Sequence, residues 1–555
     1  MICRWIQKEF LTGCVFAGVL CFCSVAAADP LVTRNDFICY DTLGTVSPDL
    51  SGWQDVSIDS SGRISETNST RVYTDPFSSI GFYQFNRFDK YGDQSQPVIF
   101  FLPDTVHADT VYALVSRLFS NTNHEGTTFV GGMVKIGPAH AYGIRTVGWR
   151  FGPDGAKMGD PICFDCDITY CCDLSVSSGA GDINNQGVLG MIWNADMLSS
   201  PYDDTVYARL YYPDGDSLSP LIAPMSLPSP LPQDILLQYP RIGVADDGSF
   251  VAVWHEQRYC RTYYVVYNAD CTPRSDMMIA ECIDNDTASC ALNSRYIDLA
   301  IESDGDFYIT WYGPDFGTGT CFTYAQIFMR GFNSDGTAKY DPVHINDTDS
   351  LYVCQGEEIY PSIACDDNGN VLVAWSDARD YPGYNIYGYT PRNVYVQKID
   401  PEGNLVGPNY RINNNLGKGG WLGENVGCDL NNAGQAIILW RNWQSYYRVS
   451  AQLMPYDDIA TFVPGDLNLD FKGNISDLTY ILTYLFGSSE DSVNFWPRSM
   501  ADFNCDGKNG NISDVCYMVS YLFGMPTGPE PCTPDEGIRP TPPYNDSGRH
   551  PPPKE

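Results

Sequence analysis

Two oxygen-rich stretches near the C-terminus carry the residue types and spacing for cation chemistry. The first reads D-L-N-L-D-F-K-G-N-I-S-D, from Asp466 to Asp477, and the second D-F-N-C-D-G-K-N-G-N-I-S-D, from Asp502 to Asp514. Calcium is a hard cation, and an EF-hand-type loop surrounds it with oxygens from the first, third, fifth, seventh, ninth and twelfth positions, the seventh through its carbonyl. In the first copy these are Asp466, Asn468, Asp470, Lys472, Asn474 and Asp477, with Phe471 where a glycine normally permits the sharp turn. In the second copy Asp502, Asn504 and Asp506 fit from the front, and Asn511 and Asp514 from the back. One extra residue lies between, so Lys508 or Asn509 supplies the carbonyl. A single Asp- and Asn-rich loop can simply cap the helix that follows it. Two copies with the same continuation argue for ligation instead. The expected cofactor is Ca2+, at two sites.

These ligands need elements to hold them. Each loop runs into an amphipathic pattern, apolar at Leu478, Ile481, Leu482, Leu485 and Phe486 and again at Val515, Met518, Val519, Leu522 and Phe523. That spacing predicts one buried stripe on each of two helices. Paired loop–helix units with Asp at the twelfth position and no helix before the loop resemble the type I dockerin module, over residues 464–524. The resemblance implies calcium-dependent folding and docking of the helices onto a cohesin-type partner, with Ile475-Ser476 and Ile512-Ser513 at the positions that set partner choice. It also implies carbohydrate-related cargo. The copies lie 36–37 residues apart, farther than in a usual dockerin, with 488–500 as the spacer. Cys505 and Cys532 are placed to close the second unit by a disulfide, and the proline-rich 525–555 reads as a disordered tail.

The cargo is read from the other end of the chain. Arg4 and Lys8, an apolar run from Phe10 to Val25 and Ala26-Ala27-Ala28 make residues 1–28 a secretory signal peptide. Leu11-Thr12-Gly13-Cys14 spells a lipobox but begins the apolar run rather than following it. Beyond residue 28 there are 31 basic and 67 acidic side chains, a balance that disfavours nucleic acid and suits an exported, cation-binding protein. Sixteen cysteines remain after the signal, read as disulfides in an oxidising compartment. Cys163, Cys166, Cys171 and Cys172 are the one cluster that could hold zinc instead.

Tryptophans recur at 193, 254, 311, 375 and 440, each ending a strand–turn–strand pattern such as Y-P-R-I-G-V-A-D-D-G-S-F-V-A-V-W (Tyr239 to Trp254). A second hairpin follows in each period, as in V-Y-V-Q-K-I-D-P-E-G (Val394 to Gly403). Two hairpins in about sixty residues give four strands per repeat, and such repeats bury their faces only against each other. The fold class is therefore mainly β: a multi-bladed β-propeller, about seven blades at this period, followed by the small helical module. The repeats resemble those of secreted bacterial propellers, best at Tyr360 to Arg379. Residues 29–175 read as β-rich first blades, with S-I-D-S-S-G-R-I and W-R-F-G-P-D-G as hairpin fragments and a separate sandwich as the competing arrangement. Residues 176–460 carry the clear repeats, and 461–524 the calcium module.

Polar residues follow several of the tryptophans: His255, Glu256 and Arg258; Ser376, Asp377 and Arg379; Arg441. They form either a ligand-binding rim or acid–arginine pairs pinning each turn, and the second is the ordinary use of such residues. Ser303-Asp304-Gly305 with Thr310-Trp311 is similar to the aspartate box of sialidases, but the spacings differ and no arginine triad is assignable. Gly215-Asp216-Ser217-Leu218 spells an esterase block within an ordinary turn composition. Six histidines form no metal pair at helical spacing, and no glycine-rich phosphate loop joins a strand to a helix. The sequence thus points to a secreted bacterial protein that attaches to a cohesin-type partner and presents a propeller to an extracellular glycan or protein. The alternative is a secreted glycoside hydrolase acting in polysaccharide catabolism, whose carboxylate pair the sequence does not single out.

Overall fold

The computed structural model describes residues 37–40, 54–75, 78–89, 94–101, 113–114, 119–136, 143–165, 174–197, 205–226, 237–256, 261–281, 295–314, 324–347, 351–352, 361–377, 392–412, 421–443, 447–459, 475–486 and 512–523. Its strands form seven antiparallel sheets, each a meander that leads into the next. This is the seven-bladed propeller that the sixty-residue period implies. The inner strands, in blade order, contain Gln54–Ile58, Phe119–Thr122, Leu174–Ile183, Leu237–Val244, Arg295–Ile301, Ser362–Cys365 and Trp421–Leu430. The separate sandwich considered for the first 175 residues is not formed. Gln54–Phe101 is blade one, and Ala113–Cys163 supplies blade two. Phe37–Tyr40 crosses to the last blade and pairs with Tyr447–Pro455, in the register Phe37↔Ala451 and Ile38↔Ser450. The N-terminal strand therefore closes the ring.

The hairpin between first and second strands is the same in every blade. Gly62, Gly126, Gly187, Gly248, Gly305, Gly369 and Gly434 all sit at φ between 72° and 96°, a left-handed conformation that only glycine adopts without strain. In five blades the residue three before the glycine is Asp or Asn, and its side chain accepts backbone N–H groups of its own turn, as Asp366 Oδ1 does from Asn368 and Asn370. The recurring tryptophans Trp193, Trp254, Trp311, Trp375 and Trp440 are fully buried. Four of them stack on the directly opposed aromatic of the third strand, Tyr207, Tyr263, Phe328 and Tyr395, at 6.0–6.3 Å. Cross-strand aromatic pairs of this kind stabilise a sheet beyond the area they bury.

The core lies between blades rather than within them. Val56, Ile58 and Phe88 of blade one pack on Ile437 and Leu439 of blade seven, and Phe307, Ile309 and Trp311 of blade five pack on Val251 and Val253 of blade four. Two helices follow the ring, α1 at Ile475–Phe486 and α2 at Ile512–Phe523. Leu478, Ile481, Val515 and Met518 are buried in a cluster that includes Tyr456 and Ile459 at the end of the last blade. The predicted stripe is narrower than its letters suggest: Leu482, Val519 and Phe523 are exposed. The reason is geometric, since the closest seam between two helices takes the inner positions of each stripe and leaves its flanks to solvent. No described helix is long and apolar enough to cross a membrane.

Cys163 is disulfide-bonded, which answers the zinc alternative at that residue. Cys271, Cys365, Cys428 and Cys516 are free thiols, so the expectation that all sixteen mature cysteines pair does not hold. Cys428 is buried inside the strand core, where packing rather than redox chemistry decides a cysteine.

Candidate functional site: the central channel and its mouth

Seven inner strands leave seven sheet edges facing one axis, and each edge carries backbone N–H and C=O groups without a neighbouring strand. Such groups must find partners. Acidic side chains supply them from blade to blade. Asp55 Oδ2 accepts from Ser120 N at 2.9 Å, Asp182 Oδ2 from Val244 N at 2.8 Å, Asp298 Oδ2 from Ile363 N at 3.2 Å, and Asp429 Oδ2 from Ile58 N at 2.7 Å. The remaining junctions are bridged by Asn121 to Gly181, Ser362 to Cys428, and the ion pair of Arg241 Nε with Asp298 Oδ1 at 2.7 Å. The belt is complete around the ring, so these acids replace a missing strand. Burial pushes Asp182 up, and it pushes Asp429 up to about 7, with Asp55 and Asp182 adding to the effect and hydrogen bonds from Ile58 and Leu430 opposing it.

A second ring closes the turn end. The second residue of each turn reaches its neighbour: His124 N donates to Asn185 Oδ1, Asn185 N to Asp246 Oδ1, Asp246 N to the Ser303 carbonyl, Ser303 N to Asp367 Oδ1, and Asp367 N to Asn432 Oδ1. Asn432 Nδ2 then contacts His124 Nε2 at 3.1 Å and also Asp367 Oδ2, which draws three blades together across the axis. The enclosed cavity is about 220 Å³ and is lined by residues of all seven inner strands.

The opposite end, where the inner strands begin, is built differently. Tyr239 and Tyr296 occupy equivalent places in blades four and five, line the channel, and have φ of 52° and 47°. A bulky aromatic in the left-handed region is a genuine outlier and costs on the order of 1–3 kcal/mol. The two rings meet edge to face at 4.9 Å. Each is backed by the residue after its own blade's tryptophan: His255 lies 6.4 Å from Tyr239, and Tyr312 lies 6.1 Å from Tyr296. Both backing residues are buried. The result is a partly buried aromatic shelf two residues from the Arg241–Asp298 ion pair.

The polar residues after the tryptophans that are described do not form a rim. His255, Glu256, Ser376 and Asp377 are all buried. Asp377 Oδ2 accepts from the Trp375 indole at 3.3 Å, Arg392 Nη1 donates to Ser376 Oγ at 3.4 Å, and Glu256 stands opposite Arg261 in the strand register. Arg258 and Arg379 lie outside the described residues, as does the Arg441 side chain. In the sialidase-like segment, Asp304 and Asp306 belong to the blade-five turn, with Asp306 paired to Lys339 at 2.8 Å. Asp216 accepts from the Tyr211 hydroxyl at 2.6 Å within its own turn, which is a structural use of the Gly-Asp-Ser-Leu letters.

Of the calcium-loop residues, Asp466, Asn468, Asp470, Lys472, Asn474, Asp502, Asn504, Asp506, Lys508, Asn509 and Asn511 lie outside the described residues. Asp477 and Asp514 are described, and both are fully buried in the first turn of their helices. A carboxylate goes into the interior only when strong partners compensate its lost hydration. Both residues have partners within the fold itself.

The class defined by this fold and site is a seven-bladed β-propeller with an acid-stitched channel and an aromatic shelf at its strand-start mouth. Neither a protein-family model nor a curated protein matches the chain in sequence. Among solved structures it is similar to the polysaccharide lyase Uly1, at 8% identity and a TM-score of 0.41 over 73% of this chain and 90% of that one. It is also similar to the α-L-arabinanase of Penicillium chrysogenum, at 11% and 0.37 over 77% and 99%. A third is the NanB sialidase of Streptococcus pneumoniae, at 11% and 0.38 over 78% and 71%.

Proposed function

We propose that the chain is a secreted carbohydrate-active protein of glycoside-hydrolase type, with a propeller that takes its glycan at the strand-start mouth and a C-terminal module that tethers it. The observation that carries this reading is the pair of strained tyrosines at the channel mouth. Sugar rings present C–H faces to aromatic planes, and two partly buried rings that line the channel and are held by buried neighbours form a surface of that kind. Backbone strain persists where function repays it, and it concentrates at ligand clamps and active sites.

In this reading the acids of the belt are not the catalytic pair, because their oxygens are occupied by backbone N–H groups and by Arg241. The test is a screen of the full chain for reducing sugar released from several polysaccharides, with Tyr239→Gly and Tyr296→Gly alongside. Glycine accepts the left-handed backbone and removes only the ring. Turnover in the parent chain, lost tenfold or more in both variants, supports the proposal. A glycan retained without turnover would leave a binding propeller in place of a hydrolase.

The tethering half rests on the duplicated loop spacing, which ends at Asp477 and Asp514. Bound calcium would be held by the oxygens of both loops and would neutralise these two carboxylates at the helix starts. The exposed flank of the helix pair, with Ile475 at 60% and Ile512 at 58% exposure, is the surface offered to a cohesin-type partner. The signal-peptide pattern of residues 1–28 and the acidic balance support a location outside the cell.

A further inference from the structure

We propose that Arg241 selects the glycan at this mouth, and that the sugar it selects carries a carboxylate, as a uronic acid does. This inference rests on the carbohydrate reading and names the class of sugar within it. Arg241 lies two residues after Tyr239 on the inner strand of blade four, and Asp298 two residues after Tyr296 on that of blade five. All four line the channel. The Arg241 side chain is 12% exposed and pinned by two contacts: Nε donates to Asp298 Oδ1 at 2.7 Å and Nη1 to the Pro240 carbonyl at 3.0 Å. Asp298 is held in turn by the Ile363 N–H and the Ser362 hydroxyl of blade six. A guanidinium carries five N–H donors in one plane. Those of Nη2 and the second hydrogen of Nη1 make no hydrogen bond with a described residue, so donors on two adjacent nitrogens remain for a ligand.

Two such donors match the two oxygens of a carboxylate, and charge-assisted pairs of this kind are roughly twice as strong as neutral hydrogen bonds. The aromatic shelf sets the second requirement. Two residues of strand, about 7 Å at most, separate each ring from the ion pair. One sugar can therefore stack its C–H face on a tyrosine and turn the carboxyl at its edge to Arg241. The ligand does not displace Asp298, which is bound through Nε. Because that bond holds the guanidinium before any ligand arrives, little side-chain freedom is lost on binding. The formal charge of −35 opposes the contact only weakly. At physiological ionic strength charges more than about 8 Å apart are largely screened, whereas the fork acts in direct contact. The same net charge makes retention of an acidic polymer informative, since the chain has no general attraction for one.

The experiment is affinity electrophoresis of the full-length protein at about 0.15 M salt. The gels entrap, one at a time, polygalacturonate, alginate and a glucuronan, each beside its carboxyl-reduced form, and neutral xylan and arabinan. The expected result is retardation by at least one polyuronate, weakened at least tenfold when its carboxyls are reduced to alcohols. Arg241→Lys keeps an ammonium beside Asp298 but lacks the planar fork. It is expected to lose retardation at least tenfold at a melting temperature close to that of the parent. If that temperature falls, the comparison of a polyuronate with its reduced form, made on the parent chain, decides alone. Retardation confined to xylan or arabinan, or equal before and after carboxyl reduction, would overturn the inference while leaving the carbohydrate reading standing. Full retardation of a stable Arg241→Lys variant would overturn the assignment to Arg241. Retardation by no polysaccharide would remove the carbohydrate reading, and this inference with it.

Discussion

At Asp429 the structure of the channel turns into a dependence on pH. Its carboxyl holds a proton up to about pH 7 in the folded chain, mainly because burial disfavours the charge. An unfolded chain releases the same proton near pH 4. Between those values unfolding releases a proton, so the contribution of this group to stability falls as pH rises from about 4 to about 7 and stays at its lowest above that. Asp182, raised for the same reason, acts in the same direction. Asp429→Asn is expected to flatten the decline in melting temperature between pH 5 and pH 8, as read by calorimetry. A slope identical to the parent would show that the group does not titrate there. The variant starts with a fixed deficit, since an amide cannot accept from both Ile58 and Leu430 as the carboxylate does. The pH slope, not the absolute value, is the diagnostic quantity.

Residue-level chemistry was only partly legible before the fold was known. The turn glycines, the tryptophans and the alternation around them are written in the repeat, and they come out as hairpins and fully buried rings. The tyrosine shelf was present in the letters too: Tyr239 and Tyr296 open the repeated patterns Y-P-R-I and Y-I-D-L. Nothing in a pattern reveals φ, so they read as ordinary strand residues. The belt of Asp55, Asp182, Asp298 and Asp429 was hidden for another reason. Its logic joins residues of adjacent blades, and Asp429 to Ile58 spans 371 positions in the chain.

Among the elements, the first hairpin of each blade separates backbone strain from packing. At Gly434 an added Cβ meets nothing within 4 Å, so Gly434→Ala should cost only the left-handed penalty, about 1 kcal/mol. At Gly126 the same atom would lie 2.5 Å from Arg63 Nη2 and 2.7 Å from Asp59 Oδ2. Those groups form an ion pair at 2.6 Å that anchors the turn of blade one. Gly126→Ala should therefore shift the denaturation midpoint clearly further than Gly434→Ala. Equal shifts would mean that the pair moves aside freely.

The helices offer the matching test for the calcium loops. A cation bound only by the folded module stabilises it in proportion to the logarithm of its concentration. In the full-length protein, EGTA should speed amide exchange in 475–486 and 512–523 and leave the inner strands of the propeller unchanged. Asp477→Ala with Asp514→Ala should abolish that response. Equal exchange with and without chelator would remove calcium from the account. The loop sequences gave the spacing from which this follows, while the width of the helical stripe could not be read from them. Which flank of an amphipathic helix stays wet depends on its neighbour, and Val519 and Phe523 turned out exposed.

For the whole molecule, function depends on ring closure, and closure rests on a strand of four residues. Phe37–Tyr40 is the outermost strand of the last blade, yet it precedes the first blade in sequence. Its pairing with Tyr447–Pro455 ties the two ends of the propeller and covers what would otherwise be an open sheet edge. The mouth needs all seven inner strands in place, because the Arg241–Asp298 junction is one link in a belt that runs through Asp429 back to Ile58. Opening the ring at blade seven should therefore disturb the tyrosine shelf three blades away. Ile38→Pro removes a backbone donor and fixes φ in the closing strand, and should lower the stability of the propeller. The same change should also lower glycan retention below the temperature at which the chain unfolds, as followed by affinity electrophoresis beside circular dichroism. Ile38→Val, which keeps the backbone pairing, should leave both unchanged. If Ile38→Pro lowered stability while retention persisted until global unfolding, the mouth would be organised by blades four and five alone and the belt would be a matter of stability only.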